Sequence, residues 1–187
     1  MPRGRPSKKQ AILATAQALF SEFGYQGTSI DLVVKESNSS KPTVYNNFPT
    51  KQALLHELLN QAIEDSEQQR CELARREDIS LAATLLQAFE LITHNAQHLA
   101  IYRICYGERH KLDEQSSQLF ADYENALRQW CEAQLQARLP QTNEQQAFAI
   151  RAICREGLII PALANEPAVS RTQLEQLITT IIESAQV

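Results

Sequence analysis

Ile12, Ala16, Leu19, Phe20 and Phe23 stand at i, i+4, i+7, i+8 and i+11, which puts all five on one side of a helix. Similar spacing returns further along. Leu54, Leu55, Leu58, Leu59, Ala62 and Ile63 form one apolar face, Leu81, Leu85, Phe89 and Ile92 another. Leu119, Tyr123, Leu127 and Trp130 make a third, and Leu174, Leu177, Ile178 and Ile181 a fourth. A many-stranded sheet needs turn material between its strands, yet the 187 residues hold only five Gly and seven Pro. The expectation is an all-α chain of about nine helices, three short ones at the front and about six behind.

The punctuation agrees. Gly24 is placed to end the first helix, and Gly27 keeps the next stretch a loop. Thr28 or Ser29 then caps a short helix through Glu36, with Ile30, Val33 and Val34 facing inward. Ser37-Asn38-Ser39 reads as a turn in which Asn38 takes the left-handed conformation. Ser40 caps the next helix, over 41–47, Pro42 sits in its first turn, Val44 and Phe48 point inward, and Pro49 closes it. Thr50 caps a helix to about residue 76 and Ser80 one to about 95, and a shorter segment follows near 99–106. A long helix over 113–139 stops at Pro140. Asn143 with Gln146, and Ser170 with Gln173, signal the starts of the last two, the first of them reaching about 163.

Charge divides the chain. Residues 1–55 carry seven Lys/Arg against three acids, and residues 56–187 carry eleven against nineteen. A basic head on an acidic body implies that the head meets a polyanion. The longest apolar run, Leu158 to Ala164, is interrupted by Pro161 and is far too short to span a membrane. PRGRPSKK behind Met1 is no secretory leader. Cys71, Cys105, Cys131 and Cys154 form no CxxC pair, so they read as reduced, mostly buried thiols of a cytoplasmic protein.

A short capped helix, a turn of about three residues and a second short helix describe a helix-turn-helix. The second helix carries Lys41, Thr43, Tyr45, Asn46 and Asn47. Lysine neutralises phosphate, Thr and Tyr hydroxyls bond phosphate oxygens, and Asn pairs with the N6/N7 edge of adenine in the major groove. Short polar helices also occur in many all-α proteins that bind no DNA.

At this point the residues resemble a known family. Ala11-Ile12-Leu13 through Phe20, Phe23-Gly24-Tyr25 and Thr28-Ser29-Ile30 look like the opening of TetR/AcrR-family bacterial transcriptional regulators. The run from Ser40 through Leu54 (SKPTVYNNFPTKQAL) looks like their recognition helix and the start of their fourth helix. The likeness covers about residues 8–55. The chain departs from it in having Val34 where Ala is usual, Ser37-Asn38-Ser39 for Ala-Gly-Val, Pro42 for Gly, and Asn46-Asn47. The resemblance implies phosphate contacts from Thr28 or Ser29, Tyr45 and Lys51, and major-groove contacts from Lys41, Thr43, Asn46 and Asn47. Ahead of such a head, Arg3 and Arg5 have the composition of a minor-groove hook, although a basic tail can also be merely solvated. The expected division is 1–50 as DNA-binding domain with its basic arm, and 51–187 as effector-binding and dimerisation domain.

The remaining constellations are weaker. His94 and His98 stand at i, i+4, but no Glu lies between them as in a zinc hydrolase, and the reading is no metal. Cys105 lies near Arg103, Arg109 and His110 and reads either as a redox thiol or as a buried small side chain. Arg151 and Arg155 share a helix face and suit an anionic effector, an acid across a dimer, or solvent. No catalytic motif is present, so no enzyme activity and no cofactor is expected. Phe89, Tyr102, Tyr106, Phe120, Tyr123 and Trp130, with Arg103 and Arg155 as partners for an acidic group, are the candidate lining of an apolar effector pocket. Leu174, Leu177, Ile178 and Ile181 are the candidate dimer stripe, with little to cover it inside one subunit. The reading is a homodimeric repressor on double-stranded DNA with an inverted-repeat operator, released by an unidentified small hydrophobic or aromatic effector and having no membrane partner. The alternative is a DNA-binding regulator whose C-terminal domain binds a protein.

Overall fold

The computed structural model describes residues 7–184, and among these there are nine helices and no strand. They are α1 Lys8–Gly27, α2 Ile30–Glu36, α3 Lys41–Asn47, α4 Lys51–Ala74, α5 Leu81–Thr93, α6 Ala96–Gly107, α7 Glu114–Arg138, α8 beginning with Glu144–Cys154, and α9 Arg171–Ser184. After Cys154, α8 widens into a π-helical stretch, Arg155–Ile159, and returns to α geometry over Ile160–Ala164. A 3₁₀ turn, Arg109–Lys111, lies between α6 and α7. Among the described residues no helix is long and apolar enough to cross a membrane.

The caps are where the side chains predict them. Ser29, Ser40, Ser80 and Asn143 each accept a backbone N–H of the first turn behind them, and Thr50 does the same for Ala53. Ser7 and Gln10 add a capping box at the start of α1. Gly24 breaks α1 with φ 71° and ψ 176°, and one further turn follows before the chain leaves the helix at Thr28. Asn38 takes φ 49° in the α2–α3 turn, the left-handed conformation its short amide side chain tolerates.

The chain forms two compact units. One is the chain up to Ala62 together with Ala100–Ala121; the other is Ile63–Leu99 with the chain from Asp122 onward. Helices α4, α6 and α7 therefore each contribute to both. In the first unit α1, α2 and α3 pack on one another, burying Ile12, Ala16, Phe20, Val33, Val44 and Phe48.

In the second unit α5, α8 and α9 pack together. This corrects the reading of the α9 stripe. Leu174 and Ile178 are 2% and 0% exposed, so the chain covers them itself. Gly157 makes room: a Cβ there would stand 2.4 Å from Leu174 Cδ2. Leu177, at the edge of the stripe, is left 51% exposed. The π stretch has a local cause. Pro161 has no N–H to offer the carbonyl of Gly157 four residues back, and that carbonyl accepts the Val169 N–H at 3.3 Å instead.

Candidate nucleic-acid interface

The outer side of α3 presents Lys41, Tyr45 and Asn46 to solvent. The Lys41 ammonium lies 2.8 Å from Asp31 and 5.6 Å above the Tyr45 ring. Its hydrogen bond to Asp31 raises its pKa, but both groups are exposed and screened by salt, so the pair can open toward a phosphate. Asn46 makes no side-chain hydrogen bond within the described residues. Its amide keeps both donor and acceptor for a partner.

The other predicted contacts separate by their local bonding. Ser29 accepts the Leu32 N–H at 3.1 Å as the cap of α2 and is exposed, so its O–H remains a donor. Thr28 does not share that position. It is 1% exposed, and its hydroxyl donates to the Gly24 carbonyl at 2.9 Å, bracing the break in α1. The Thr43 hydroxyl lies 2.7 Å from that of Ser40. Asn47 donates its amide to the Thr43 carbonyl at 2.8 Å, turned back along its own helix. Ser39, where the resemblance implies an apolar residue, is buried and donates its hydroxyl to the Ser37 carbonyl at 3.3 Å. Arg3 and Arg5 lie outside the described residues.

Lys51 is half-buried at the start of α4. It donates to the Tyr25 carbonyl at 2.7 Å, and its ammonium sits 4.2 Å from the Tyr25 ring centroid. Burial lowers its pKa, with Glu108 opposing the shift and Lys111 adding to it. Glu108, just beyond α6, accepts the Tyr25 N–H at 3.1 Å. It stands 83 residues from Tyr25 in sequence, and no spacing rule could connect them. Further along the same unit, Asp113 accepts from the Ser116 N–H at 2.8 Å and meets His56 Nε2 at 3.1 Å. Burial alone would raise the Asp113 carboxyl, but these hydrogen bonds bring it down to about 2.

The candidate effector residues do not form one group. Tyr102, Tyr106 and Phe120 cluster in the first unit, with centroids 5.2–6.0 Å apart. Tyr123, in the second, is fully buried and hydrogen-bonded: its hydroxyl lies 2.9 Å from both Ser66 Oγ and His98 Nδ1. Burial lowers the His98 pKa, with Asp65 opposing and Arg70 reinforcing the shift. Arg103 is exposed and Trp130 half-buried. Phe89 and Arg155 do meet. They line a cleft of about 530 Å³ in the second unit, with Leu127, Phe148 and Ile160 as further apolar lining and Arg155 paired to Glu124 at 2.5 Å. Arg151 pairs with Glu132 at 2.9 Å.

Among the described residues no group of three or more His, Cys, Asp or Glu side chains could hold a metal. Cys105, Cys131 and Cys154 are buried, and Cys71 is exposed. Burial pushes the Cys131 thiol up to about 12 and Cys154 in the same direction, which makes both poor nucleophiles.

Residues 12–58 match the family model described as bacterial regulatory proteins, tetR family. The regulator QacR of Staphylococcus aureus is 44% identical over 61 residues, 33% of this chain and 31% of that protein. The chain spans at most about a third of the length of the curated relatives it matches. Solved structures align over nearly all of it at low identity. A TetR-family transcriptional regulator of Agrobacterium tumefaciens has a TM-score of 0.71 at 18% identity, covering 95% of this chain and 96% of that one. A protein of Saccharomonospora viridis solved in complex with choline has a TM-score of 0.74 at 20% identity, covering 94% and 95%. These likenesses show a shared fold over nearly the whole chain, and residues 12–58 carry the sequence signature of the tetR family of bacterial regulatory proteins.

Proposed function

We propose that the chain is a sequence-specific DNA-binding transcriptional repressor, active as a homodimer and released from an inverted-repeat operator by a small, mainly apolar effector. Residues 1–50 bind DNA, and residues 51–187 bind the effector and the second copy. The observation that carries this reading is the outer face of α3, where Lys41, Tyr45 and Asn46 are exposed and the Asn46 amide keeps its hydrogen-bonding capacity for a partner. Asn46 suits an adenine edge and Lys41 faces the same major groove; Ser29, Tyr45 and Lys51 suit phosphates; Arg3 and Arg5 suit the minor groove of A·T-rich flanks.

The effector reading rests on the cleft that Phe89 and Arg155 line, and on a protein of the same fold having been solved with a small molecule, choline. For the dimer, Leu177 on α9 is 51% exposed and Ile181, one turn on, is half-buried. Apolar groups of that size are what a second copy of the same face would cover. An effector that favours a body conformation with the wrong head spacing weakens DNA binding by its differential affinity for the two states. Hundredfold release needs about 2.7 kcal/mol of such coupling.

The test is to sequence the genomic fragments that the purified protein captures. An inverted repeat with half-sites about 10 base pairs apart, or a multiple of that, is the expected result. Fragments sharing no motif would overturn the reading.

A further inference from the structure

We propose that Glu108 is a positioning residue for DNA binding: by holding the main chain of Tyr25, it presets Lys51 for the phosphate that this lysine grips. The proposal rests on the reading of Lys51 as a phosphate contact.

Tyr25 is held from both sides. Its N–H donates to Glu108 Oε1 at 3.1 Å, and its carbonyl accepts from Lys51 Nζ at 2.7 Å. The break at Gly24 is what turns this N–H toward Glu108. With ψ near 180° at Gly24, the Tyr25 amide leaves the direction of the α1 ladder, and Glu108 supplies the acceptor. The Tyr25 ring then lies beneath the Lys51 ammonium, 4.2 Å from centroid to nitrogen. A lysine normally loses much rotamer freedom when it fixes on a phosphate. Here most of that freedom is already lost before DNA arrives, while the ammonium keeps two further N–H donors.

Glu108 is otherwise hard to explain. Its second oxygen, Oε2, is buried and has no hydrogen-bond partner among the described residues, so the side chain bears a desolvation cost that its bond to Tyr25 alone does not explain. A carboxylate in that place has a second use as a countercharge. Burial works against the Lys51 charge, and Glu108 works for it. Because Glu108 belongs to the corner after α6, a shift of that corner would release Tyr25 and with it the lysine.

The experiment measures the salt dependence of binding to a labelled random-sequence duplex for four variants. Glu108→Ala, Lys51→Ala, the double variant and Glu108→Gln are compared with the parent chain. Lys51→Ala is expected to lower the slope of log affinity against log salt by about one unit. Glu108→Ala, which removes no cation, is expected to lower it by the same unit, and the double variant by one unit rather than two. Glu108→Gln keeps an acceptor for the Tyr25 N–H and should stay near the parent slope. A parent slope in Glu108→Ala beside a lowered one in Lys51→Ala overturns the proposal, as does a double variant that loses two units. An unchanged slope in Lys51→Ala overturns the phosphate reading itself, a signature distinct from either. Thermal melts accompany each variant. If Glu108→Ala is unfolded, Glu108→Asp, which withdraws the carboxylate from Tyr25, takes its place with the same expected loss of slope and the same result against it.

Discussion

The α3 surface and the interior of the second unit spend polar side chains in opposite ways. On α3, Asn46 is exposed with its amide unbonded among the described residues, and Lys41 is held by an exposed ion pair and the Tyr45 ring. In the second unit, Ser66, His98 and Tyr123 are 5%, 2% and 0% exposed and bond one another at 2.9–3.3 Å. A buried polar group must find its partner inside the chain, because leaving it unmet costs about 1–3 kcal/mol. An exposed one can wait for a partner from outside at almost no cost. Substitutions on α3 should therefore alter binding and spare stability, and substitutions in the trio should do the reverse.

The largest effect tests the apolar groups that α9 leaves at the surface. Leu177→Glu with Ile181→Glu should give a monomer by light scattering and lose about 10²-fold or more in operator affinity, since two linked heads bind far better than one. A variant that stays dimeric would put the interface elsewhere. Gly157→Ala comes next. Its Cβ would press into Leu174, so unfolding free energy should fall by about 1–3 kcal/mol in a denaturant titration. A melt unchanged from the parent would mean that Leu174 moves aside freely.

Asn46→Ala should cost roughly 1–3 kcal/mol on the best site, relax preference at one base pair and leave the melting temperature alone. Equal weakening on every sequence would show that Asn46 reads no base.

Tyr123→Phe is the mirror of that variant. It should lower stability by about 1 kcal/mol and leave DNA affinity in the absence of effector unchanged. The trio also has a pH signature. Burial holds the folded pKa of His98 below its unfolded value of about 6.5, so its stabilising contribution is present above that pH. It is lost as pH falls from about 6.5 toward the folded pKa, because the unfolded chain binds the proton first. The melting temperature should drop on acidification through that window, and His98→Gln should flatten the drop. An equal drop in both chains would assign it to other groups.

How far the sequence can be read follows from the range of each interaction. The stripe at Ile12, Ala16, Leu19 and Phe20, the caps at Ser40, Ser80 and Asn143, and the left-handed Asn38 were all legible. Each depends on residues within a turn or two, where helix geometry leaves few choices. The α3 face was legible in its residue types but not in its bonding. Nothing in the types separates Asn46, left open, from Asn47, turned back onto Thr43. Thr28 and Ser29 differ even more: Thr28 is buried with its hydroxyl on the Gly24 carbonyl, where α1 breaks, and Ser29 is exposed as the cap of α2.

By itself the sequence determined an all-α chain, the helix-turn-helix and the basic head, since periodicity, capping and charge are local or additive properties. Tertiary structure alone decided which apolar stripes the chain keeps for itself. Leu174 and Ile178 both go inward, and Gly157, seventeen residues before Leu174, leaves the space that the Leu174 side chain fills. It also scattered the aromatic residues, sending Tyr102, Tyr106 and Phe120 to one unit and Tyr123 to the other. And it brought Glu108 to Tyr25 across 83 residues. Such pairings depend on how whole helices pack, and a helix's own sequence specifies which face is apolar without naming the neighbour that will cover it.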